Sequence, residues 1–253
     1  MEHKPYRVFL GGDFHCGHNV GLTPPEWQTT DNQRALWNFF MDGVKKFGPF
    51  DVAIHDGDLI DGRGELSGQR ELIMSDRQIQ CNMAAECIKA IGSPINAIAY
   101  GTPYHTGKLE RYEDSIAREV GATIGGHLYL NIADVMFDVR HKVGGSSVPY
   151  GQNTQLNKQR SWNLEWSATG RVPKCSVFVR AHCHNYVATD MADSVLFRLP
   201  ALQGMGTEFG ECLCDQIVHF GFVYIDVLEG EILGWDKWIA PCELQNAKVV
   251  KLI

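Results

Sequence analysis

Aspartate and histidine residues occur in three short clusters far apart along the chain, and each cluster follows a short apolar run. The clusters are Asp13-Phe14-His15, Gly57-Asp58-Leu59-Ile60-Asp61 and His182-Cys183-His184. Carboxylates and imidazoles are side chains that bind divalent transition-metal ions. A strand that ends at such a residue holds it on a rigid base at the edge of a sheet. The three clusters therefore predict a metal site where the strand ends converge.

Two metal ions held close together are suited to the hydrolysis of phosphate esters. Ions about 3.5–4 Å apart supply a nucleophile near neutral pH and a positive clamp on the phosphoryl oxygens. Such a centre needs a carboxylate that bridges the ions and neutral imidazoles that bind without cancelling their charge. It also needs a proton donor that faces the leaving oxygen. The chain contains residues of each of these types.

Taken in order, the motifs resemble those of the calcineurin-like metallophosphoesterase superfamily. Asp13-x-His15 and Gly57-Asp58-x-x-Asp61 precede a glycine-to-histidine stretch at Gly101–His105, an isolated histidine, and His182-x-His184. The resemblance covers residues 13–184, about two thirds of the chain. Each motif alone is common by chance, so the specificity comes from their joint order. The Gly-Thr-x-x-His variant is similar to that of divergent, often phage-borne members.

The resemblance implies a role for each matching residue and a four-layer α-β-β-α fold. It implies that Asp58 bridges two ions, that Asp61 hydrogen-bonds to and orients a neighbouring histidine, and that His105 is the general acid. The remaining ligands would be Asp13, His15 and His184 for the first ion, and His141 and His182 for the second. A hydroxide that bridges the ions would attack phosphorus in line.

Two positions depart from the superfamily pattern. The usual Gly-Asn-His motif, in which asparagine binds the second metal, is here Gly101-Thr102-Pro103-Tyr104-His105. Its place after the glycine puts Thr102 in the ligand position, whereas adjacency to the histidine puts Tyr104 there. We expect Thr102 to be a weak ligand and His105 to remain the acid. The second departure, Ala181 in place of the glycine before His-x-His, is mild.

Each motif also has an interpretation without chemistry. Asp13–His15 fits a strand-to-loop turn, and Asp58–Asp61 fits a turn before a glycine. His182 and His184 fit residues at the end of a strand, of which only one would face the site if the strand stayed regular. His141 lies between two basic residues and fits a solvated turn. Arg63 either contacts the phosphate or lies in solvent. Together, however, the motifs favour a two-metal site.

Composition predicts one globular α/β domain over residues 1–253. The chain is 44% hydrophobic and 21% charged, and its net charge of -7 argues against broad, sequence-blind nucleic-acid binding. It has neither the apolar core of a signal peptide in its first eight residues nor a run of ~20 apolar residues. The scattered cysteines, of which Cys212 and Cys214 form the only close pair, are expected to be reduced residues of strands or loops. We therefore expect a cytoplasmic protein without a membrane partner.

The predicted elements alternate between strand and helix and then become mostly strands. Strands are predicted at Tyr6–Gly11, Asp51–His55 and Ile95–Tyr100, with helices at Asp31–Phe47, Leu72–Ile91 and Lys108–Val120. A strand pair follows at His127–Ile132 and Val135–His141, then a helix from about Thr154 to Trp166. The last predicted strands are Ser176–Ala181, Tyr186–Thr189, Val195–Leu199, Val218–Val227 and Ile232–Ile239. This order fits two mixed sheets between helices.

These observations predict a metal-dependent phosphoesterase that acts on a phosphodiester or a nucleotide-type ester. The expected cofactors are two divalent ions, Mn²⁺ first, with Fe, Zn, Co and Ni as alternatives. The expected partner is a phosphate-ester substrate, with nucleotides and nucleic acids among the candidates, and the oligomeric state stays open. The alternative is a binding scaffold with a degraded site, which the missing asparagine favours. The intact ligand residues oppose it, since buried charges and imidazoles without a ligand are costly.

Overall fold

The computed structural model describes residues 4–65, 67–146, 148–208, 210, 217–240 and 249–252. Cys212 and Cys214, for which strand or loop positions are predicted, lie outside these ranges. Within the described residues, two β-sheets face each other, and helices cover the outer face of each sheet.

The first sheet combines strands from both ends of the described chain. Its strands are β1 (Tyr6–Gly11), β2 (Val52–Asp56), β3 (Ile95–Ala99), β4 (Thr123–Gly125), β10 (Gly221–Leu228) and β11 (Glu231–Ile239). They lie in the order β11-β10-β1-β2-β3-β4. Strands β1 to β4 run parallel, whereas β10 pairs antiparallel with both β1 and β11. The sheet is therefore mixed.

The second sheet is formed by the middle of the chain. Its strands are β5 (Leu128–Ile132), β6 (Val135–Lys142), β7 (Val177–Ala181), β8 (Val187–Met191) and β9 (Ser194–Arg198). They lie in the order β5-β6-β7-β9-β8. The three central strands run parallel, and β5 and β8 are antiparallel edges. This sheet is mixed as well.

Alternating side chains in the strands divide the apolar core into layers. Val8 and Leu10 of β1 pack between the sheets, against residues such as Val179 of β7. Phe9, which points the other way, packs with Phe40 beneath the helices of the first sheet. This alternation follows from the two-residue period of a strand. The resulting order of helix, sheet, sheet and helix confirms the predicted four-layer α-β-β-α fold.

The helices are α1 (Asp31–Phe47), α2 (Arg77–Ile91), α3 (Pro103–Thr106), α4 (Glu113–Val120) and α5 (Thr154–Ala168). The prediction for α1 is confirmed at both ends, and Thr30 and Gln33 form a capping box at its start. The predicted start of α2 at Leu72 is wrong, because the Asp76 carboxylate caps the helix at Arg77. In the described ranges, no helix has the length and apolarity that crossing a membrane requires.

The parallel strands end at one common edge, and the predicted clusters lie there. Asp13 follows β1, Asp58 follows β2, Thr102 follows β3, and His182 follows β7. His141 is the penultimate residue of β6, in the facing sheet. Because parallel strands present their carboxyl ends on the same side, this edge is where ligands of open α/β sheets usually bind.

Candidate metal centre

The predicted ligands meet in three overlapping groups at this edge. In each group the ligand atoms lie within 4.8 Å of one another, and each group has the composition of a divalent-metal site. The groups are Asp13, His15 and His184; His15, Asp61 and His105; and Asp58, His141 and His182. We call the first of these the Asp13 group and the last the Asp58 group.

The Asp13 group surrounds a carboxylate oxygen that lacks a partner. Asp13 is fully buried, and its Oδ1 has no hydrogen-bond partner of acceptable geometry among the described residues. This oxygen lies 3.4 Å from His184 Nε2, 3.9 Å from His15 Nε2 and 3.8 Å from His141 Nε2. Burying such an oxygen without a partner is costly. A cation among these atoms would remove that cost.

The two imidazoles of the Asp13 group face each other through ring nitrogens. His15 Nε2 lies 3.2 Å from His184 Nε2. Two ligand atoms that are each about 2.1 Å from a shared ion lie about 3.0–3.4 Å apart at angles of about 90–110°. The separation between the two nitrogens, and that between His184 and Asp13, therefore fits one shared ion.

His15 is held in the form that binds a metal. Burial, followed by the nearby His105, lowers the pKa of His15 to about 4, so the ring is neutral at pH 7. Its Nδ1 lies 3.1 Å from Asp61 Oδ1. We assign the proton to Nδ1 from this contact, which leaves the Nε2 lone pair directed at Asp13 and His184.

The Asp58 group is organised by one strong contact. His141 Nε2 lies 2.9 Å from Asp58 Oδ2, and His141 Nδ1 donates to the backbone oxygen of Asp56. Burial opposes the charged form of Asp58, but the attraction and hydrogen bond of His141 outweigh it and lower the pKa of Asp58. His182 Nδ1 is more distant, 4.0 Å from Asp58 Oδ2, and its side chain is 35% exposed.

Thr102 lies against the Asp58 carboxylate. Its backbone N–H donates to Asp58 Oδ1 over 2.6 Å, and its hydroxyl lies 3.1 and 3.2 Å from the two carboxylate oxygens. Gly101 permits this approach, because a Cβ at that position would lie 2.2 Å from the Asp58 nitrogen. Tyr104 is 40% exposed, and its ring packs edge-to-face against that of His105.

His105 lies on the open side of the cluster. Its Nδ1 is 2.7 Å from the backbone oxygen of Asp61, and its ring packs edge-to-face on His15 with centroids 4.4 Å apart. The contact with Asp61 occupies Nδ1 and leaves Nε2 as the nitrogen for another partner. The side chains of His105 and His184 are each 19% exposed, which together with His182 opens the cluster to solvent.

The backbone is unusual at the predicted ligands that follow strands. Asp13, His15, Asp58, His182 and His184 have φ values of 50°, 46°, 48°, 74° and 55°. Such left-handed conformations cost non-glycine residues about 1–3 kcal/mol each and concentrate at functional sites. Because β7 ends before His182, strand alternation does not apply to the last cluster, and both histidines turn toward the site.

Comparison with solved structures identifies the fold. An archaeal phosphodiesterase aligns with a TM-score of 0.50 and 11% identity, over 92% of this chain and 99% of that chain. Vacuolar protein sorting 29 from Cryptosporidium parvum aligns with a TM-score of 0.51 and 10% identity, over 94% and 100%. This chain has the calcineurin-like metallophosphoesterase fold. A scan against protein-family models and a search of curated proteins found no match.

Arg63, a predicted substrate-binding residue, lies outside the ligand groups. Its guanidinium lies 3.2 Å from Glu110 and 3.6 Å from Glu65, and its side chain is 54% exposed. Arg77 shares the Glu110 carboxylate. Arg63 therefore belongs to a cluster of ion pairs at the surface, in agreement with the alternative that it lies in solvent. Its contact with a phosphate stays a prediction.

Two buried carboxyl groups beside the ligands do not belong to any predicted motif. Glu113 accepts hydrogen bonds from the backbone N–H groups of Leu59 and Gly101, and burial raises its pKa to about 8 against the pull of these donors. Asp56 is buried with neither carboxyl oxygen paired among the described residues, and burial raises its pKa to about 7. Asp56 could have been found from its position next to the Gly57-Asp58 motif, whereas no nearby motif distinguishes Glu113.

Proposed function

We propose that this chain is a two-metal phosphoesterase that hydrolyses a phosphodiester or a nucleotide-type phosphate ester. The observation that carries the proposal is the buried Oδ1 of Asp13, which accepts no hydrogen bond from the described residues and faces the Nε2 atoms of three histidines. A buried carboxylate oxygen with imidazoles on several sides is the environment of a bound cation. The strained ligand backbones support the same proposal.

The residues divide into two sets of ligands around one shared carboxylate. Asp13, His15 and His184 would hold the first ion, and His141 and His182 the second. Asp58 would contact both ions, with Thr102 as a weak additional ligand of the second. When bound, the two ions would supply an activated water nucleophile and would neutralise charge on the phosphoryl oxygens. Asp61 would keep His15 in the tautomer that binds.

His105 would donate the proton to the leaving oxygen. Its Nδ1 is engaged by the backbone oxygen of Asp61, which fixes the ring and leaves Nε2 for the substrate. The open side of the cluster, where His105, His182 and His184 are partly exposed, would admit the ester. An imidazole at this position would protonate an alkoxide as the bond to phosphorus breaks.

The diester or nucleotide preference and the metal identity belong to this proposal. The similarly folded archaeal protein is a phosphodiesterase, which gives a precedent for diester chemistry on this fold. The mixed carboxylate and imidazole ligands suit Mn²⁺, and also Fe, Zn, Co or Ni. Nucleotides and nucleic acids are the first substrates to test, in the cytoplasmic setting that we expect.

A binding scaffold without catalysis is the second candidate. The observation that favours it is Thr102, whose hydroxyl is hydrogen-bonded to the Asp58 carboxylate where the superfamily pattern has an asparagine ligand. A chain of this kind would bind one ion or none and would not hydrolyse esters. Metal stoichiometry measured together with hydrolysis separates the two candidates.

The test is a metal count and a substrate panel on one preparation. The full chain is stripped with chelator, reloaded with Mn²⁺ and assayed by elemental analysis. Hydrolysis of bis-p-nitrophenyl phosphate, p-nitrophenyl phosphate and 2′,3′-cyclic nucleotides is then measured. The proposal expects about two ions per chain and metal-dependent hydrolysis of the diesters. Fewer than one ion per chain, or two ions without hydrolysis of any ester, would favour the scaffold.

A further inference from the structure

Glu113 connects two loops that are distant in sequence. It is the first residue of α4 and is fully buried. Its Oε1 accepts the backbone N–H of Leu59 over 3.1 Å, and its Oε2 accepts that of Gly101 over 2.8 Å. Leu59 directly follows Asp58, and Gly101 directly precedes Thr102. One carboxylate thus holds both loops that contribute to the Asp58 group.

The same two loops also meet on the side that faces the site. There Thr102 donates its backbone N–H and its hydroxyl to the Asp58 carboxylate. A Cβ on Gly101 would overlap Asp58, so the loops are already at their closest approach. Two sets of hydrogen bonds therefore fix the position of Asp58 relative to Thr102. One is the direct contact between the two residues, and the other is made by Glu113 on the side away from the predicted metal ligands.

A side chain with a single acceptor oxygen does not replace this contact. Two N–H groups that point at one side chain require two acceptor oxygens, whereas glutamine offers one oxygen and an amide that repels the second N–H. Each buried N–H left unpaired is costly, so the loops would separate to find other partners.

We propose that Glu113 is a positioning residue for the second metal ion, holding Asp58 and Thr102 at the separation that its site requires. The inference rests on the proposed two-metal function. It predicts that loss of the Glu113 carboxylate affects the two ions unequally. None of the described hydrogen bonds joins Glu113 to Asp13, His15 or His184, so the first ion should be affected less, and only through the shared Asp58.

The experiment is a stepwise Co²⁺ titration of the chelator-treated full chain. Binding is monitored by calorimetry and by visible absorption. Glu113→Gln is compared with Glu119→Gln, a matched control on the same helix that removes an exposed carboxylate paired with Lys89. Wild type and control should show two steps. In Glu113→Gln the second step should weaken about 10–100-fold, the usual effect of removing a group that orients ligands. The first step should change much less than the second, since only the shared Asp58 links it to Glu113.

Two outcomes would overturn the inference while leaving the proposed function intact. One is an unchanged second step in Glu113→Gln; the other is equal weakening of both steps, which would indicate general destabilisation. If Glu113→Gln does not fold, Glu113→Asp decides, because it keeps both oxygens but is too short to reach both N–H groups, and it should also weaken mainly the second step. A wild-type chain that binds no Co²⁺ would instead contradict the proposed function itself.

Discussion

The two ligand groups are built differently, although they adjoin within one site. The Asp13 group takes two of its three ligands from one short segment, and His15 is buried, neutral and oriented by Asp61. The Asp58 group takes its three ligands from three separate segments, and His182 is more than one third exposed. One group is preorganised by local sequence, and the other depends on how several loops are held together.

This difference predicts an order of metal binding. Preorganised ligands lose little freedom when an ion binds, so the Asp13 group should bind the first and tighter ion. In the Asp58 group, the 2.9 Å contact between His141 Nε2 and Asp58 Oδ2 must also break before both atoms can bind an ion. We therefore expect stepwise binding, with the second ion weaker and more sensitive to substitutions in the loops.

The largest effect is expected for Asp58→Asn, which tests whether the two groups share a carboxylate. The substitution is close to isosteric, so the protein should fold. It should lose most bound metal and lower kcat by roughly 10³-fold or more, the order reached when a group that stabilises the transition state is removed. The measurement is metal content and hydrolysis, with the exposed Asp190→Asn as the matched control. Two retained ions with full activity would show that Asp58 is not the bridge.

The next largest effect is expected for His105→Gln, which tests whether the Asp13 side of the site also delivers the proton. General-acid help is worth ~10²–10⁴-fold and matters most for a basic leaving oxygen. The loss in kcat/KM should therefore be of this order for nucleotide or alkyl esters and much smaller for nitrophenyl esters. Metal content should stay near that of wild type. Equal losses on both ester types, or a missing ion, would make His105 a ligand or a phosphate contact.

A smaller effect is expected for Asp61→Asn, which sharpens the claim that the Asp13 group is preorganised. Asparagine keeps an acceptor for His15 Nδ1 but removes the charge that makes the imidazole a better ligand. The first binding step in a Mn²⁺ titration should weaken about 10–100-fold, and the second should change less. If only the second step weakens, Asp61 serves the other ion, and our division of the site is wrong.

The fold and the clusters were predictable because their signals are local. A strand such as β1 shows its two-residue period in adjacent positions, and Asp13 and His15 follow it directly. Local signals of this kind were enough to predict the four-layer fold, which the structure confirms. The strand rule was not applicable to His182 and His184, because the chain leaves the extended conformation after β7 and side-chain alternation then ceases.

Contacts between distant segments account for what the sequence did not indicate. Glu113 binds backbone N–H groups, and such donors are present at nearly every residue, so no side-chain pattern identifies its partners. The start of α2 depended on which of several polar residues would cap it, and Asp76 does so. Arg63 had acidic partners at several sequence distances, of which Glu65 and Glu110 are the ones in reach. The roles of the ligands stay predictions.

The smallest effect is expected where the Asp58 group departs from the superfamily pattern. Thr102→Val removes the hydroxyl beside Asp58 but keeps the backbone N–H that donates to the same carboxylate. Losing one weak hydroxyl ligand should cost about as much as losing a hydrogen bond to a charged group, about 1.5 kcal/mol, so the second ion should bind about tenfold more weakly. Tyr104→Phe is the matched control, since it also removes one hydroxyl and the ring of Tyr104 contacts His105 instead. Stepwise calorimetry with Mn²⁺ measures both variants.

If Tyr104→Phe removes the second ion while Thr102→Val leaves it in place, the tyrosine occupies the asparagine position. The two residues that are extra relative to the superfamily pattern are then Thr102 and Pro103, and the hydroxyl of Thr102 serves only to hold the loop.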